Sequence, residues 1–329
     1  MRRILFIRTD RLGETVLNLP AVAALKVLEP ESQVTWLADA ALVPLLQLAQ
    51  SVDEVLAVRA DAGSGWWLQA AQVAAFLRPR RFDVAIVSNP AKAWHLAVWL
   101  AGIPIRVGYN RKWGGLLTHR LADRKSIGDR HEVEYNVELI RRLGGAQTSR
   151  EAVSGEVQWR QPRLDAERQA LQPLLTRQGL QLAEPFIAIH PWTSNPVKQW
   201  PLDRCRALLQ ALGASPGPQL AVIGGPEQRR DAASVIPQGV AAADLVGRLT
   251  LPQLAAFLQQ ARLLVSNDSG PVHLAAAVNT KTIVLFGSSH SANGPRRWGP
   301  WGAGHTVITK PSMDLITVEE VVEAIRHHL

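Results

Sequence analysis

The chain has 329 residues, of which 47% are hydrophobic and 19% are charged, as is typical of a globular protein and not of a disordered one. This length suits two domains of roughly 150 residues each. The single cysteine, Cys205, excludes a disulfide framework and a CxxC metal or redox motif within this sequence.

The sequence shows no targeting or membrane-spanning pattern. The first apolar run, residues 4–7, is shorter than the roughly 7–15 residues of a signal-peptide core. The most apolar stretch, residues 94–104, is shorter than the roughly 18–20 residues of a membrane span. We therefore expect a cytoplasmic protein.

The net charge of +8 is distributed unevenly. Residues 1–150 contain 20 Lys and Arg against 14 Asp and Glu, whereas residues 151–329 contain 16 against 14. The excess in the first half predicts that an anionic macromolecular partner docks there, although a solvated basic surface would have the same composition.

Short apolar runs rich in β-branched residues alternate with helical patterns through the first half of the chain. The runs predict strands at residues 4–7, 34–37, 55–58, 84–87 and 105–107. The patterns between them predict a helix that follows a polar turn after the first strand and extends to residue 29, and helices at residues 40–48, 66–77, 91–100 and 133–143. Because the runs are apolar on both faces, they predict a parallel sheet covered by helices on both sides.

The alternation restarts after residues 145–184, a stretch rich in Gln and Arg that we interpret as a domain junction with one helix at residues 164–178. Strands are predicted at residues 186–189, 220–223, 263–266 and 282–286. Helices are predicted at residues 202–212, 252–258, 274–278 and 318–329. The sequence thus predicts an α/β protein of two Rossmann-like doubly wound domains, residues 1–150 and 151–329, facing a cleft.

Ligands of doubly wound domains bind at the carboxyl ends of the strands, and four predicted strands here are followed by polar clusters. The first cluster is Arg-Thr-Asp-Arg-Leu-Gly-Glu at residues 8–14. Gly13 permits a tight turn, and Glu14 would enter the first turn of the next helix, where the helix dipole favours an ionised carboxylate. Glu14 is thus a candidate general base. The alternative is that Glu14 or Asp10 only caps the helix.

The second cluster is a stiff loop, residues 190–201, which contains two tryptophans, three prolines and Lys198. Lys198 is either a phosphate ligand or an ordinary surface lysine. The third cluster is Gly-Gly-Pro-Glu at residues 224–227, where glycines let backbone N–H groups approach a ligand and Glu227 would accept hydrogen bonds from ribose hydroxyls. It lacks the full G-x-G-x-x-G fingerprint.

The fourth cluster is Ser-Asn-Asp-Ser-Gly-Pro-Val-His at residues 266–273. Ser269, Gly270 and the following helix N-terminus would offer N–H groups to a diphosphate. Asp268 is better suited to sugar hydroxyls. His273 is either a ligand contact or a structural histidine.

Together, the four clusters resemble the bacterial ADP-heptose:lipopolysaccharide heptosyltransferases. The resemblance extends from residue 4 to about residue 286 and is most specific at residues 266–273 with the following Leu-Ala-Ala-Ala. It implies a GT-B fold and an inverting transfer of heptose from the donor ADP-heptose to the inner core of lipopolysaccharide.

The resemblance also implies residue roles. Glu14 corresponds to the proposed catalytic acidic residue, usually an aspartate and here one methylene longer, and Lys198 corresponds to the diphosphate-binding lysine. Glu227 corresponds approximately to the ribose-binding acid. The donor-binding turn corresponds to Asp268, Ser269, Gly270 and His273. Beside the proposed base, we expect Asp10 and Gly13 to be substrate-binding residues.

Lys198 and the helix N-terminus at Ser269 and Gly270 would neutralise the departing ADP without a metal. No D-x-D pair lies near a predicted strand end, so the sequence predicts neither a metal nor a cofactor.

The acceptor implied by the resemblance is an anionic, lipid-linked glycan, which suits the basic first half and implies peripheral contact with the inner face of the cytoplasmic membrane. Residues 109–130 are interrupted by glycine and lack a helical period, so we expect an exposed, ligand-binding loop there. The predicted acceptor patch consists of Arg59, Arg111, Lys112, Arg120, Arg124 and Lys125.

Two alternatives remain open at this point. Another nucleotide-sugar transferase or an epimerase, for example one that uses a UDP-sugar, would share the fold, because nothing in the sequence identifies the nucleotide base. A nucleic-acid-binding protein would share the basic charge, but the sequence has no helix-turn-helix signature, zinc finger or RNP motif, so we expect no nucleic-acid partner.

Overall fold

The computed structural model describes residues 1–58, 65–144, 157–287 and 292–329. The chain forms two compact units, Met1–Arg160 and Gln161–Leu329. The division lies ten residues beyond the predicted boundary at residue 150, which falls outside the described residues. The reason is that Trp159 forms a bridge with Ala49, and Arg160 donates hydrogen bonds to backbone carbonyls of the first unit, including that of Val52 at 2.8 Å.

The first unit is a parallel six-stranded sheet with the order β3-β2-β1-β4-β5-β6. Its strands are β1 Arg3–Ile7, β2 Gln33–Asp39, β3 Glu54–Val58, β4 Val84–Val87, β5 Ile105–Tyr109 and β6 His119–Leu121. Its helices are α1 Leu12–Val16, α2 Leu19–Leu28, α3 Val43–Leu46, α4 Trp66–Leu77, α5 Lys92–Leu100 and α6 Glu132–Gly144. β4 is buried along its whole length and β1 over all but its first residue, which is why they appear as continuous apolar runs.

The second unit repeats this topology, with the sheet order β12-β11-β10-β7-β8-β9. Its strands are β7 Phe186–His190, β8 Gln219–Val222, β9 Ala242–Asp244, β10 Leu263–Asn267, β11 Thr282–Phe286 and β12 Thr306–Thr309. Its helices are α7 Gln161–Arg177, α8 Leu202–Gly213, α9 Ala232–Val235, α10 Leu251–Gln260, α11 Gly270–Ala277, α12 Pro295–Trp298 and α13 Val318–Arg326. Counted from its own first strand, each sheet has the Rossmann order, which confirms two doubly wound domains.

The strand order fixes where ligands can bind. In each sheet the chain reverses direction across the sheet between two adjacent strands, β1 and β4 in the first unit and β7 and β10 in the second. Connections leave these strands on opposite sides and open a crevice at their carboxyl ends. The residues that follow these four strands are therefore the natural site candidates.

Several short elements were not predicted. β6, β9 and β12 have three or four residues and are only partly buried, so they leave no apolar run in the sequence. The prediction of a loop throughout residues 109–130 is therefore wrong at β6. The predicted first helix is split into α1 and α2, because Pro20 has no N–H to continue the hydrogen-bond ladder.

Cys205 lies on α8, inside the core of the second unit. The side chain is buried, and burial raises the pKa of its thiol to about 12. The thiol is therefore protonated and inert in the folded protein.

Candidate active site

Glu14 lies in the first turn of α1, directly after β1, at the reversal point of the first sheet. The residue is half-buried, and Gly13 beside it is buried. Helix α1 begins after Arg11 with no side-chain cap, so neither Glu14 nor Asp10 serves as its N-cap. Within the described part of the chain, no hydrogen bond or ion pair engages the Glu14 carboxylate.

The backbone around Glu14 is fixed to β4. Ser88, at the carboxyl end of β4, donates a hydrogen bond of 2.5 Å from its hydroxyl to Asn18 Oδ1. Asn18 Nδ2 in turn donates to the carbonyl oxygen of Glu14 at 2.7 Å. Both Asn18 and Ser88 are buried. The turn that carries the candidate base is thus held to β4 by buried hydrogen bonds, while its carboxylate remains available.

Asp10, the second carboxylate of this turn, has a different environment. The buried guanidinium of Arg8 donates from Nε to Asp10 Oδ1 at 2.5 Å. No role was predicted for Arg8, Asn18 or Ser88 from the sequence. The sequence does show that polar residues directly follow the apolar strands β1 and β4. Which of these residues contact each other depends on the order of the strands in the sheet.

Lys198 and Asp268 meet at the reversal point of the second sheet. Lys198 ends a short 3-10 helix, Pro196–Lys198, and Asp268 directly follows β10. Lys198 Nζ donates to Asp268 Oδ2 at 2.5 Å, and the carboxylate is largely buried. Burial raises the pKa of Asp268, and the neighbouring ammonium opposes that shift. The pair thus places the ammonium group of Lys198 beside a carboxylate that can accept hydrogen bonds.

His190 is linked to the turn that precedes α11. Its Nδ1 lies 3.1 Å from Ser266 Oγ and 3.2 Å from Ser269 Oγ. Burial lowers the pKa of His190 to about 4, opposed by the negative charge of Glu227, so the ring is neutral at physiological pH. Because its hydroxyl is engaged in this way, Ser269 does not cap α11, and the first N–H groups of that helix, from Gly270 on, have no side-chain cap.

Glu227 and His273 have contrasting environments. Glu227 is exposed, follows β8, and accepts a hydrogen bond of 2.8 Å from Gln228 Nε2. A Cβ on Gly225 would lie 2.5 Å from Glu227 Oε1, so the carboxylate lies directly against the backbone of this glycine. His273 is buried within α11.

The predicted acceptor residues of the first unit lie after β5 and on β6. Arg111 forms an ion pair of 2.9 Å with Asp123, Lys112 is exposed with a left-handed backbone (φ 44°), and Arg120 is exposed on β6. Lys125 differs from the expectation, because its side chain is largely buried and forms an ion pair of 2.5 Å with Glu132. Arg124 is exposed, and Arg59 lies outside the described residues.

The comparisons with known proteins identify the family. The model of glycosyltransferase family 9 (heptosyltransferase) matches residues 71–322. This chain belongs to glycosyltransferase family 9. It is 24% identical to lipopolysaccharide heptosyltransferase 3 of Escherichia coli strain K12, over 88% of this chain and 82% of that protein.

Two solved structures have the same fold. One is E. coli ADP-heptose lps heptosyltransferase II, with a TM-score of 0.81, 22% identity and coverage of 100% of this chain and 98% of the other. The other is E. coli heptosyltransferase WaaC with ADP, with a TM-score of 0.77, 20% identity and coverage of 99% and 100%. The family member is thus a glycosyltransferase with the GT-B type of fold. Among the described residues, none of the helices combines the length and the apolar composition of a transmembrane span.

Proposed function

We propose that this glycosyltransferase transfers heptose from ADP-heptose to the inner core of lipopolysaccharide, with inversion of the anomeric carbon and without a metal. The observation that carries the proposal is the pair of Lys198 and Asp268 beside the N-terminus of α11, at the reversal point of the second sheet. A related enzyme of the same fold has been solved with ADP.

In this proposal the second unit binds the donor. Lys198 exchanges part of its interaction with Asp268 for the diphosphate, and the N–H groups at Ser269 and Gly270 donate to the same phosphates. Asp268 accepts hydrogen bonds from sugar hydroxyls, and Glu227 accepts them from the ribose. His190 orients the Ser269 hydroxyl, and His273 supports α11 from within.

The first unit supplies the base. Glu14 takes the proton of the attacking acceptor hydroxyl while that oxygen forms a bond to the anomeric carbon and the bond from this carbon to the diphosphate oxygen breaks. A single displacement of this kind inverts the anomeric carbon. The negative charge that develops on ADP is stabilised by Lys198 and by the dipole of α11.

The metal-free part of the proposal rests on those positive groups. Because Lys198 and the α11 N-terminus offset the charge of the leaving group, we expect transfer to retain most of its rate in EDTA. A loss of transfer in EDTA that Mg²⁺ restores would overturn this part. The measurement is initial rate in chelated buffer, with the stripped protein compared before and after addition of Mg²⁺.

The acceptor is proposed to be an anionic, lipid-linked glycan bound by the basic residues Arg111, Lys112 and Arg120 of the first unit. Its attachment to a lipid implies peripheral contact of the protein with the membrane.

The deciding experiment is calorimetry with ADP and UDP, followed by transfer assays with ADP-heptose and UDP-sugars on heptose-deficient lipopolysaccharide. We expect ADP binding and heptose transfer. Tighter binding of UDP, with turnover of a UDP-sugar, would instead identify the transferase or epimerase alternative.

A further inference from the structure

Helix α4 presents an apolar face to solvent. Its twelve residues include no charged side chain. Trp67 is 60% exposed and Phe76 is 42% exposed, and Leu68, Ala71 and Ala75 are exposed between them, together with one uncharged polar residue, Gln72. A surface helix of a globular protein normally carries charged residues on its outer face, so the composition of α4 indicates that this face is covered in the working protein.

Exposed tryptophans cluster around the same helix. Four tryptophans are between 38% and 60% exposed in the described part of the chain: Trp66, Trp67, Trp99 and Trp113. The rings of Trp66 and Trp113 contact each other edge to face, with centroids 5.0 Å apart. Trp99 lies on α5, which packs against α4. We call the exposed residues Trp66, Trp67, Leu68, Phe76, Trp99 and Trp113 the tryptophan surface.

The stretch of sequence that contains the tryptophan surface is strongly basic. Residues 65–122 contain eight Lys and Arg and one acidic residue, Asp83, and the next residue, Asp123, forms an ion pair with Arg111. Lys92 Nζ lies 5.7 Å from the centroid of the Trp66 ring, and the Arg80 guanidinium lies 3.8 Å from that of Phe76. Asp83 accepts a hydrogen bond from the backbone N–H of Arg3. The apolar face therefore has a cationic border.

We propose that the tryptophan surface docks on an anionic phospholipid bilayer. Tryptophan is enriched at the level of lipid headgroups, because its ring is apolar while its N–H group forms hydrogen bonds. Leu68 and Phe76 would enter the boundary of the acyl chains, and Lys92, Arg78 and Arg80 would contact lipid phosphates. Trp113 directly follows Lys112, so the surface adjoins the proposed acceptor loop.

The positive charge around the tryptophan surface favours an anionic bilayer over a second protein as its partner. A protein that covered a cationic border of this kind would have to present matching carboxylates around an apolar centre. An anionic bilayer provides both features over a surface of any extent, with phosphates above an apolar interior. The proposal rests on the proposed function only through the lipid attachment of the acceptor.

The test is co-sedimentation of the full chain with vesicles of phosphatidylcholine mixed with phosphatidylglycerol, compared with phosphatidylcholine alone, in the absence of donor and acceptor. We expect binding that is stronger on the anionic vesicles and weakens with salt. The double variant Trp67→Ser, Phe76→Ser should bind these vesicles about ten-fold or more weakly, because two large apolar side chains no longer enter the interface. The matched control is Val27→Ser, an exposed apolar residue on α2 of the same unit, which should bind like wild type.

A separate variant tests the cationic border without touching the apolar face. Lys92→Gln should reduce the preference for anionic over neutral vesicles. The proposal is overturned if wild type binds neither kind of vesicle, or if the Trp67, Phe76 double variant binds as wild type does while remaining folded by circular dichroism. Capture of a partner protein by wild type without any vesicle binding would reassign the surface to a protein interface.

The assay also separates this proposal from the enzymatic one. Transfer to a delipidated, soluble acceptor should be unchanged in the Trp67, Phe76 double variant. If wild type binds anionic vesicles but transfers no heptose, the proposed function fails and the docking surface stands. If wild type transfers heptose but does not bind vesicles, the docking surface fails and the proposed function stands.

Discussion

The carboxylate of Glu14 combines a fixed backbone with an available side chain. Asn18 and Ser88 tie its carbonyl to β4, and no described residue neutralises the side chain. Asp10, four residues earlier, is engaged by Arg8. This difference favours Glu14 over Asp10 as the proposed base, because a base that is already paired with an arginine is a weaker proton acceptor.

We therefore expect Glu14→Gln to lower kcat by about 10²–10⁴ while leaving the affinity for ADP unchanged, since the amide cannot accept the proton. Glu31→Gln, at an exposed glutamate of the same unit, is the control and should keep the wild-type rate. Steady-state transfer rates and calorimetry measure the two effects. If Glu14→Gln retains more than half of kcat, Asp10→Asn becomes the variant to test.

The pair of Lys198 and Asp268 predicts that substitution of its two members affects ADP binding differently. Lys198→Ala should weaken ADP binding about ten-fold or more, because a charge-assisted hydrogen bond to phosphate is lost, and should also lower kcat. Asp268→Asn should not weaken ADP binding, since it releases the ammonium, but should lower kcat/KM for ADP-heptose. Lys310→Ala, which breaks an exposed ion pair with Glu320, is the control. Calorimetry showing the same ADP affinity for Lys198→Ala and wild type would make Lys198 a surface residue.

Burial of His190 predicts a pH dependence of stability. The folded-state pKa is about 4, below the ordinary value of about 6.5, so the unfolded chain binds the proton first as the pH falls. The contribution of His190 is therefore complete above pH 6.5 and is lost towards pH 4, by up to about 3 kcal/mol. His190→Asn should flatten the decline in the free energy of unfolding between pH 7 and pH 5, measured in urea, whereas His327→Asn, at an exposed histidine, should not. Equal slopes in wild type and His190→Asn would contradict the burial argument.

At the level of elements, strands that are buried along their whole length were predicted correctly from the sequence. β4 and β11 are buried along their whole lengths and were predicted with the bounds observed. β6 and β12 were not predicted, because they are short, half-exposed edge strands. Their apolar and polar residues alternate only weakly and form no apolar run. A three-residue edge strand is specified mainly by its neighbour in the sheet, and single-sequence patterns contain little information about that neighbour.

The loop after β5 and strand β6 present the proposed acceptor residues together in sequence and on adjacent strands. The charge of Lys125 is neutralised by its ion pair with Glu132, so Lys125 is not available to bind the acceptor. The exposed basic residues that remain are Arg111, Lys112 and Arg120, with Arg124 close by in the sequence. Arg111 itself is partly neutralised by Asp123, an exposed pair whose attraction is modest.

Replacing Arg111, Lys112 and Arg120 together with glutamine should raise the acceptor KM several-fold, flatten its salt dependence and leave the donor KM unchanged. The reason is that exposed charge contacts weaken as the Debye length falls from about 10 Å at 0.1 M salt to about 3 Å at 1 M. Kinetics at both salt concentrations measure the effect. Arg142, Arg177 and Arg326, which are exposed elsewhere in the chain, form the control triple, and an unchanged acceptor KM at low salt would place the patch elsewhere.

At the level of the whole molecule, the rule that ligands bind at strand ends located the candidate clusters, but it did not predict their partners. Lys198 and Asp268 are 70 residues apart, and His190 and Ser266 are 76 apart. These contacts form because β7 and β10 are neighbours in the sheet, an order that no local pattern specifies. The division of the chain was likewise displaced, because Trp159 and Arg160 return to the first unit.

The burial of Cys205 has a practical consequence. Since the chain contains one thiol, and that thiol is enclosed in the core and protonated, maleimide reagents should find almost no background target in the native protein. Cysteines introduced at one exposed position in each unit would accept fluorophores selectively. Energy transfer between the two dyes would then report, molecule by molecule, the separation of the two units as donor and acceptor substrates are added.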